Sequence, residues 1–244
     1  MKGVILSISP EAKLVDISNS VQSFDILDGA ITIAEAYDYF PSNTIHLVIV
    51  DPGVGTERRP LLVSTTRHAF IAPDNGVLSL VYAREERVTV RHITAEHYFR
   101  QPVSQTFHGR DIFAAVAGHL SKGVEPPKFG EEISDYVRFA GPRPKSADGV
   151  VKGVVIKVDK FGNLITNITP NDVPQLFQST AVPFKIQIGK AEVRQLKTAY
   201  AQGQSGEVFG ILGSMGYLEI AANKSSAAHL AGAGRGSEVV VSLG

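Results

Sequence analysis

Two short stretches gather the residue types that can handle a proton or a developing charge. The first, Asp51-Pro52-Gly53-Val54-Gly55-Thr56-Glu57-Arg58-Arg59, closes the apolar run Thr44 to Val50. A carboxylate directly after a buried strand stands where ligands gather in open α/β sheets, beyond the carboxyl ends of the strands. The glycines suggest a phosphate cradle, but a cradle needs a helix to begin straight after the loop. Pro60-Leu61-Leu62-Val63 reads as a strand instead, so a phosphate loop is rejected. A plain turn with Asp51 as a structural cap fits the same letters. The second stretch, Gln105-Thr106-Phe107-His108-Gly109-Arg110-Asp111, precedes a helical pattern over Arg110 to Leu120. A histidine at a helix N-terminus feels the positive end of the dipole, which favours the neutral ring, able to accept a proton or orient a water. Asp111 pulls the other way, and a purely structural hydrogen-bonding role for His108 stays open. The other histidines (His46, His68, His92, His97, His119, His229) show no metal-ligand spacing, so no metal is expected.

A third stretch lies in the second half: Val158-Asp159-Lys160-Phe161-Gly162-Asn163-Leu164-Ile165-Thr166-Asn167. A carboxylate there could take an ammonium, a phenyl face could lie on a flat ring, and a carboxamide could pair with a purine edge. An Asx-type turn between two strands is the simpler reading of the segment in isolation. Tyr200 and Gly213-Ser214-Met215-Gly216-Tyr217-Leu218-Glu219 are open in the same way.

The elements that must position these groups divide in two. Lys13 to Ile17 reads as a strand, and Ile26 to Phe40 as a helix with Asp25 as N-cap and Pro41 as its stop. Thr44 to Val50 suits a strand buried on both faces, the signature of a parallel sheet. Leu61 to Ser64, Ala69 to Ala72 and Val88 to Ile93 read as further strands, with a turn at Pro73 to Gly76 and a helix at Val77 to Ala83. Alternating strands and helices predict an α/β layered domain with a mostly parallel sheet over residues 1–138. A Pro/Gly/Lys-rich stretch over 139–150 reads as a linker. From 151 to 244 strands dominate (Gly153 to Val158, Phe184 to Ile188, Glu207 to Leu212, Tyr217 to Ala221, Val239 to Leu243), which predicts a small antiparallel β-barrel or sandwich.

Composition narrows the function classes. Lys plus Arg and Asp plus Glu balance at 24 each, so no net field recruits nucleic acid or an anionic membrane. The 244 residues are 43% apolar and 20% charged, ordinary for a soluble globular protein. There is no run of 18 apolar residues and no signal-peptide pattern, so neither a span nor a leader is expected, and cytoplasm is the default location. The absence of cysteine excludes disulfides, thiolate catalysis and thiolate-bound metals.

Taken together, MKGVILSISP, VIVDPGVGTERR, APDNGVLS, TFHGRDIFA, VDKFGNLITN and LGSMGYLEIA occur in the order and spacing of one family. The chain resembles the S-adenosyl-L-methionine (SAM) hydroxide adenosyltransferases, adenosine-forming hydrolases related to the fluorinases and chlorinases. The resemblance runs over nearly the whole chain. It implies an α/β N-terminal domain, a linker and a C-terminal β-barrel, assembled as a homotrimer with active sites between subunits. It implies Asp51, Arg58 and His108 as the catalytic set around an attacking water, where the halogenating branch has other residues. It implies substrate contacts from Asp159, Phe161 and Asn163, with Tyr200 as aromatic partner for adenine, Ser214 at the methionine part, Phe24 as a wall beside ribose and sulfonium, and Glu219 as a further contact. No cofactor is implied, since SAM is the substrate. Relatives carry a strand and a TDFGxxD-type segment just ahead of the MKGVIL motif, whose last Asp binds the ribose hydroxyls; the expectation here is a start placed at an internal methionine. Rival expectations are halide-dependent adenosyl transfer and a non-catalytic SAM- or adenosine-binding protein.

Overall fold

The computed structural model describes residues 1–178 and 182–244, which divide into two units, Met1–Ala140 and Gly141–Gly244. In the first unit, helix α1 (Lys2–Ile8) and helix α2 (Ile26–Ala36) precede strands β1 (Thr44–Leu47), β2 (Pro60–Ser64) and β3 (His68–Pro73). Helix α3 (Ser79–Tyr82), strand β4 (Thr89–His92) and helix α4 (Ala114–Ser121) follow. Helix α2 starts where Asp25 accepts a hydrogen bond from the Asp28 N–H at 2.9 Å, and a short 3-10 turn over Tyr37–Tyr39 carries it towards Pro41.

The sheet order is β1-β3-β2-β4. Its central strands β2 and β3 are buried on both faces because helices cover both. Leu61, Val63, Phe70 and Ala72 pack with Ile33 of α2 and Val81 of α3. The alternate residues, Leu62 and Ile71, pack with Ile5 of α1 and with Phe113, Val116 and Ala117 around the start of α4. β1 and β3 pair in parallel, as the Thr44 to Val50 run predicts, whereas β2–β3 and β2–β4 are antiparallel, so the sheet is mixed rather than mostly parallel. The reason is local: only Thr65, Thr66 and Arg67 separate β2 from β3, and a turn that short returns a strand only antiparallel.

Lys13 to Ile17, expected as a strand, is irregular. Leu14 does pack inward with Val4 and Ala12, but Val15 and Ile17 face outward, and among the described residues no strand pairs with this backbone.

The second unit holds β5 (Lys145–Ala147), β6 (Val150–Val158), β7 (Leu164–Thr166), β8 (Phe184–Ile188), β9 (Ala191–Val193), β10 (Leu196–Lys197), β11 (Val208–Leu212), β12 (Leu218–Ala222), helix α5 (Ala227–Ala231) and β13 (Glu238–Leu243). They form one curled sheet in the order β10-β11-β12-β7-β6-β13-β8-β9, with β5 on β6; every pairing but β10–β11 is antiparallel. Alternate residues fill its interior: Val151 and Val155, Ile186 and Ile188, Leu218 and Ile220, Val239 and Val241. β5 lies inside the stretch read from sequence as a linker.

Candidate active site

Asp51 sits four residues beyond the end of β1, and the strand's exit is fixed from the side. Asn75 Nδ2 donates to the Val50 carbonyl at 2.8 Å, while its Oδ1 accepts the Val77 N–H at 3.1 Å. The loop after Asp51 then folds back on itself. Thr56 Oγ1 donates to the Gly53 carbonyl at 2.7 Å, which returns the chain so that Arg58 faces the carboxylate it left seven residues earlier. Arg58 Nε donates to Asp51 Oδ1 at 2.7 Å and Arg58 Nη2 donates to Asp51 Oδ2, a two-point grip that fixes the guanidinium plane. The side chains of both residues are under a tenth exposed.

The neighbouring Arg59 is turned elsewhere. It holds Asp74 through Nε and Nη2 and the exposed Asp135 through Nη1. Two adjacent arginines thus have separate partners: Arg59 ties the loop to Asp74 and Asp135, and Arg58 faces Asp51.

His108 arrives from fifty residues away. It precedes a π-helical turn, Gly109–Phe113, that leads into α4; such wide turns are rare and recur at functional sites. Asp111 is completely buried within that turn and accepts from Arg110, from Arg100 and from the Ser104 N–H. These bonds tie down the loop before His108 and hold the Asp111 carboxyl well below the usual range, chiefly through the Arg110 hydrogen bonds. The two loops meet at Gly55, which has φ +80°; a Cβ there would lie 2.4 Å from the Gln105 carbonyl oxygen. Only glycine combines that backbone with that approach.

The result is a linked set. Arg58 Nη2 lies 3.0 Å from His108 Nδ1. A guanidinium can only donate, so Nδ1 accepts and the neutral ring carries its proton on Nε2. Burial, and then the Arg58 charge, lower the His108 pKa, against smaller opposing pulls from Asp51 and Asp111. Arg58 also lies over the Phe113 ring, 5.2 Å from its centroid. The carboxylate orients the guanidinium, and the guanidinium orients the imidazole. Phe24, in the same unit, is 78% exposed and has φ +68°, a left-handed conformation that a bulky residue adopts only under constraint.

The second unit brings its own group together. Asp159 Oδ1 accepts from the Phe161 and Asn163 N–H groups, both at 2.8 Å, and Oδ2 accepts from Asn163 Nδ2 at 2.9 Å. The segment is therefore the Asx-type turn that its letters allow, and it presents Phe161 outward at 67% exposure while Asn163 is buried. A carboxylate has about four acceptor positions, so the turn leaves Asp159 capacity for one more donor. Tyr200, 45% exposed, donates from its hydroxyl to Glu219 Oε2 at 3.0 Å, and the Asp159 carboxylate acts on the same hydroxyl through space. Ser214 is exposed on the turn between β11 and β12.

Residues 1–130 match the N-terminal domain of the SAM hydroxide adenosyltransferases, and residues 153–240 match their C-terminal domain. The chain belongs to this family. Among its relatives is a protein from Salinispora tropica named (R)-S-adenosyl-L-methionine hydrolase, 32% identical, with 99% of this chain and 91% of that one aligned. A protein of the same name from Methanocaldococcus jannaschii is 30% identical over 94% of this chain and 84% of its own. A fluorinase from Actinoplanes sp. is more distant, at 26% identity over 93% of this chain and 87% of its own. A crystal structure of an uncharacterized conserved protein from Thermotoga maritima superposes with a TM-score of 0.90 at 33% identity, covering 99% of this chain and 93% of that one.

Several positioning residues carry little signal in the family's motifs as read from letters alone. Asn75 reads only as part of a turn, and its bond to the Val50 carbonyl joins segments 25 residues apart. Gly55 reads as loop flexibility, whereas its task is close contact with Gln105.

Proposed function

We propose that the protein hydrolyses SAM to adenosine and L-methionine by attack of water or hydroxide on the ribose 5′ carbon. The observation that carries this reading is the Asp51–Arg58–His108 set, largely shielded from solvent and hydrogen-bonded in series, in a chain of the SAM hydroxide adenosyltransferase family. Two cationic or polar donors beside one another, Arg58 and the Nε2–H of His108, suit an oxygen nucleophile that gains negative character as it loses its proton. Attack at C5′ forms the C–O bond as the C5′–sulfur bond breaks; the sulfonium leaves as the neutral thioether of methionine and one proton is released. Charge is lost from the sulfonium in this step, so a pocket poor in water favours it.

On the substrate side, Phe161 and Tyr200 offer faces to adenine, and Asp159 and Asn163 offer polar groups beside them. Ser214 serves the methionine part, and Phe24 walls the ribose and sulfonium. SAM is the substrate, so no cofactor enters. The assembly we favour is a homotrimer with each site shared between subunits; the exposure of Phe24, Phe161 and Tyr200 in the isolated chain supports a partner that covers them.

The test is product identification. Incubation with the separated sulfonium epimers of SAM should release adenosine and methionine, with the (R) form favoured in line with the relatives' names. The fluorinase relatives make halide transfer the rival. A 5′-halogenated nucleoside appearing with chloride or fluoride, in place of adenosine, would establish it; binding without either product would leave only a SAM-binding protein.

A further inference from the structure

Glu219 occupies an unusual place for a carboxylate. In β12 it lies in register with Ile211 of β11 and Ile165 of β7. Its neighbours Leu218 and Ile220 point into the main core of the unit, so Glu219 shares the opposite face with Ala221, which packs with Phe209 and Ile211 in a small second cluster. The loop of residues 198–206 covers that face. Lys197, paired with Glu207 at 2.5 Å, lies over Phe209; Gly203 presses against the same ring, and Asn223 Nδ2 holds the Gly203 carbonyl at 2.8 Å. Glu219 is 7% exposed beneath this cover. One carboxylate oxygen accepts the Tyr200 hydroxyl. The other lies so close to Gly213 that a Cβ there would fall 1.9 Å from it. Gly213 opens the turn that carries Ser214, and that turn is closed by the Gly213 N–H to the Tyr217 carbonyl at 2.9 Å.

We propose that Glu219 is a positioning residue that sets both ends of the SAM pocket in this unit without touching substrate, holding the Tyr200 ring through its hydroxyl and seating the Ser214 turn against its other oxygen. Its part in the pocket rests on the SAM reading above; its hold on Tyr200 does not. A buried carboxylate costs desolvation and persists where partners repay it. A charged acceptor gives the stronger hydrogen bond and fixes the aromatic plane before adenine arrives.

Two measurements test this on the full-length protein. In the first, made without substrate, tyrosine ionisation is followed by difference absorbance between proteins with and without Tyr200. Burial and the Glu219 carboxylate push the Tyr200 hydroxyl up to about 12, so it should stay protonated where an ordinary tyrosine, near 10, ionises. In Glu219→Gln and Glu219→Ala it should titrate closer to the ordinary value. An unchanged titration in both variants would overturn the contact whatever the substrate proves to be. In the second, Tyr200→Phe should raise KM for SAM about tenfold, as expected for a lost charge-assisted hydrogen bond, and Glu219→Ala, which loses both holds, at least as much, mainly without loss in kcat. The double variant should be no worse than Glu219→Ala alone, and Glu219→Gln should recover part of the loss. Multiplying losses in the double variant would mean that Glu219 meets substrate directly and would overturn the positioning role; a Tyr200→Phe protein with wild-type KM would overturn the hold on adenine through the ring. A wild-type protein that turns over no SAM would defeat the functional reading alone, with the titration still deciding the contact.

Discussion

Arg58 touches both other members of the proposed catalytic set, Asp51 and His108. Together with burial it keeps His108 neutral to lower pH than a free imidazole, whose ordinary value is 6.5. With His108 proposed to work as the neutral ring, the acid limb of kcat/KM should therefore fall below pH 6.5, because the ring resists protonation. Arg58→Gln removes the depressing charge and leaves Asp51, which pulls the other way, so the limb should move to higher pH. Turnover at the optimum should fall by about 10²- to 10³-fold, the scale for losing one preorganised donor. A pH–rate profile of the two proteins reads both effects, and a limb that stays in place would detach Arg58 from His108. Asp51, Arg58 and His108 are each conspicuous as letters. Which of two adjacent arginines faces Asp51 is not legible from residue type alone; the family resemblance names Arg58, and the folded loop brings Asp51 to Arg58 and Asp74 to Arg59.

At the scale of elements, the site is a junction of two loops rather than a surface of one. Gly55 makes that junction possible, so Gly55→Ala forces both a strained φ and a clash with the Gln105 carbonyl. The expected cost is about 1–3 kcal/mol of stability, read as a lowered Tm, with a larger loss in kcat because the His108 loop must retreat. A variant with normal Tm and normal kcat would show that the loops need not touch. Most strands were legible because burial on two faces leaves continuous apolar runs, as in Pro60–Ser64 and His68–Pro73. Sheet direction was not, since it depends on how few residues join β2 to β3. Lys13 to Ile17 shows the opposite failure, a short apolar-rich run that pairs with no strand among the described residues. The two-residue β10 and three-residue β7 and β9 are too short to leave any period.

For the molecule as a whole, the first unit carries a titratable weak point outside the Asp51–Arg58–His108 set. His46 of β1 and His68 of β3 are buried with ring centroids 5.1 Å apart, among Tyr37, Phe40 and Phe70. Burial, and then His68, push His46 down to about 4; His68 is lowered by burial and Arg67, against Glu85 and Asp38. The unfolded chain takes up these protons first, so stability is intact above about pH 6.5 and is lost as pH falls towards 4. For His46 alone the loss approaches about 3 kcal/mol. His46→Phe should flatten the dependence of Tm on pH across that window, and an unchanged slope would place the acid sensitivity elsewhere. No helix among the described residues is long and apolar enough to cross a membrane. The measurement that bears most directly on the chemistry is hydrolysis of SAM in ¹⁸O-labelled water, with mass spectrometry of both products. One labelled oxygen should appear in the 5′-hydroxyl of adenosine and none in methionine, with release nearly abolished in Asp51→Asn and His108→Ala. Adenosine without label, or wild-type release from both variants, would contradict attack by a water held at Asp51, Arg58 and His108.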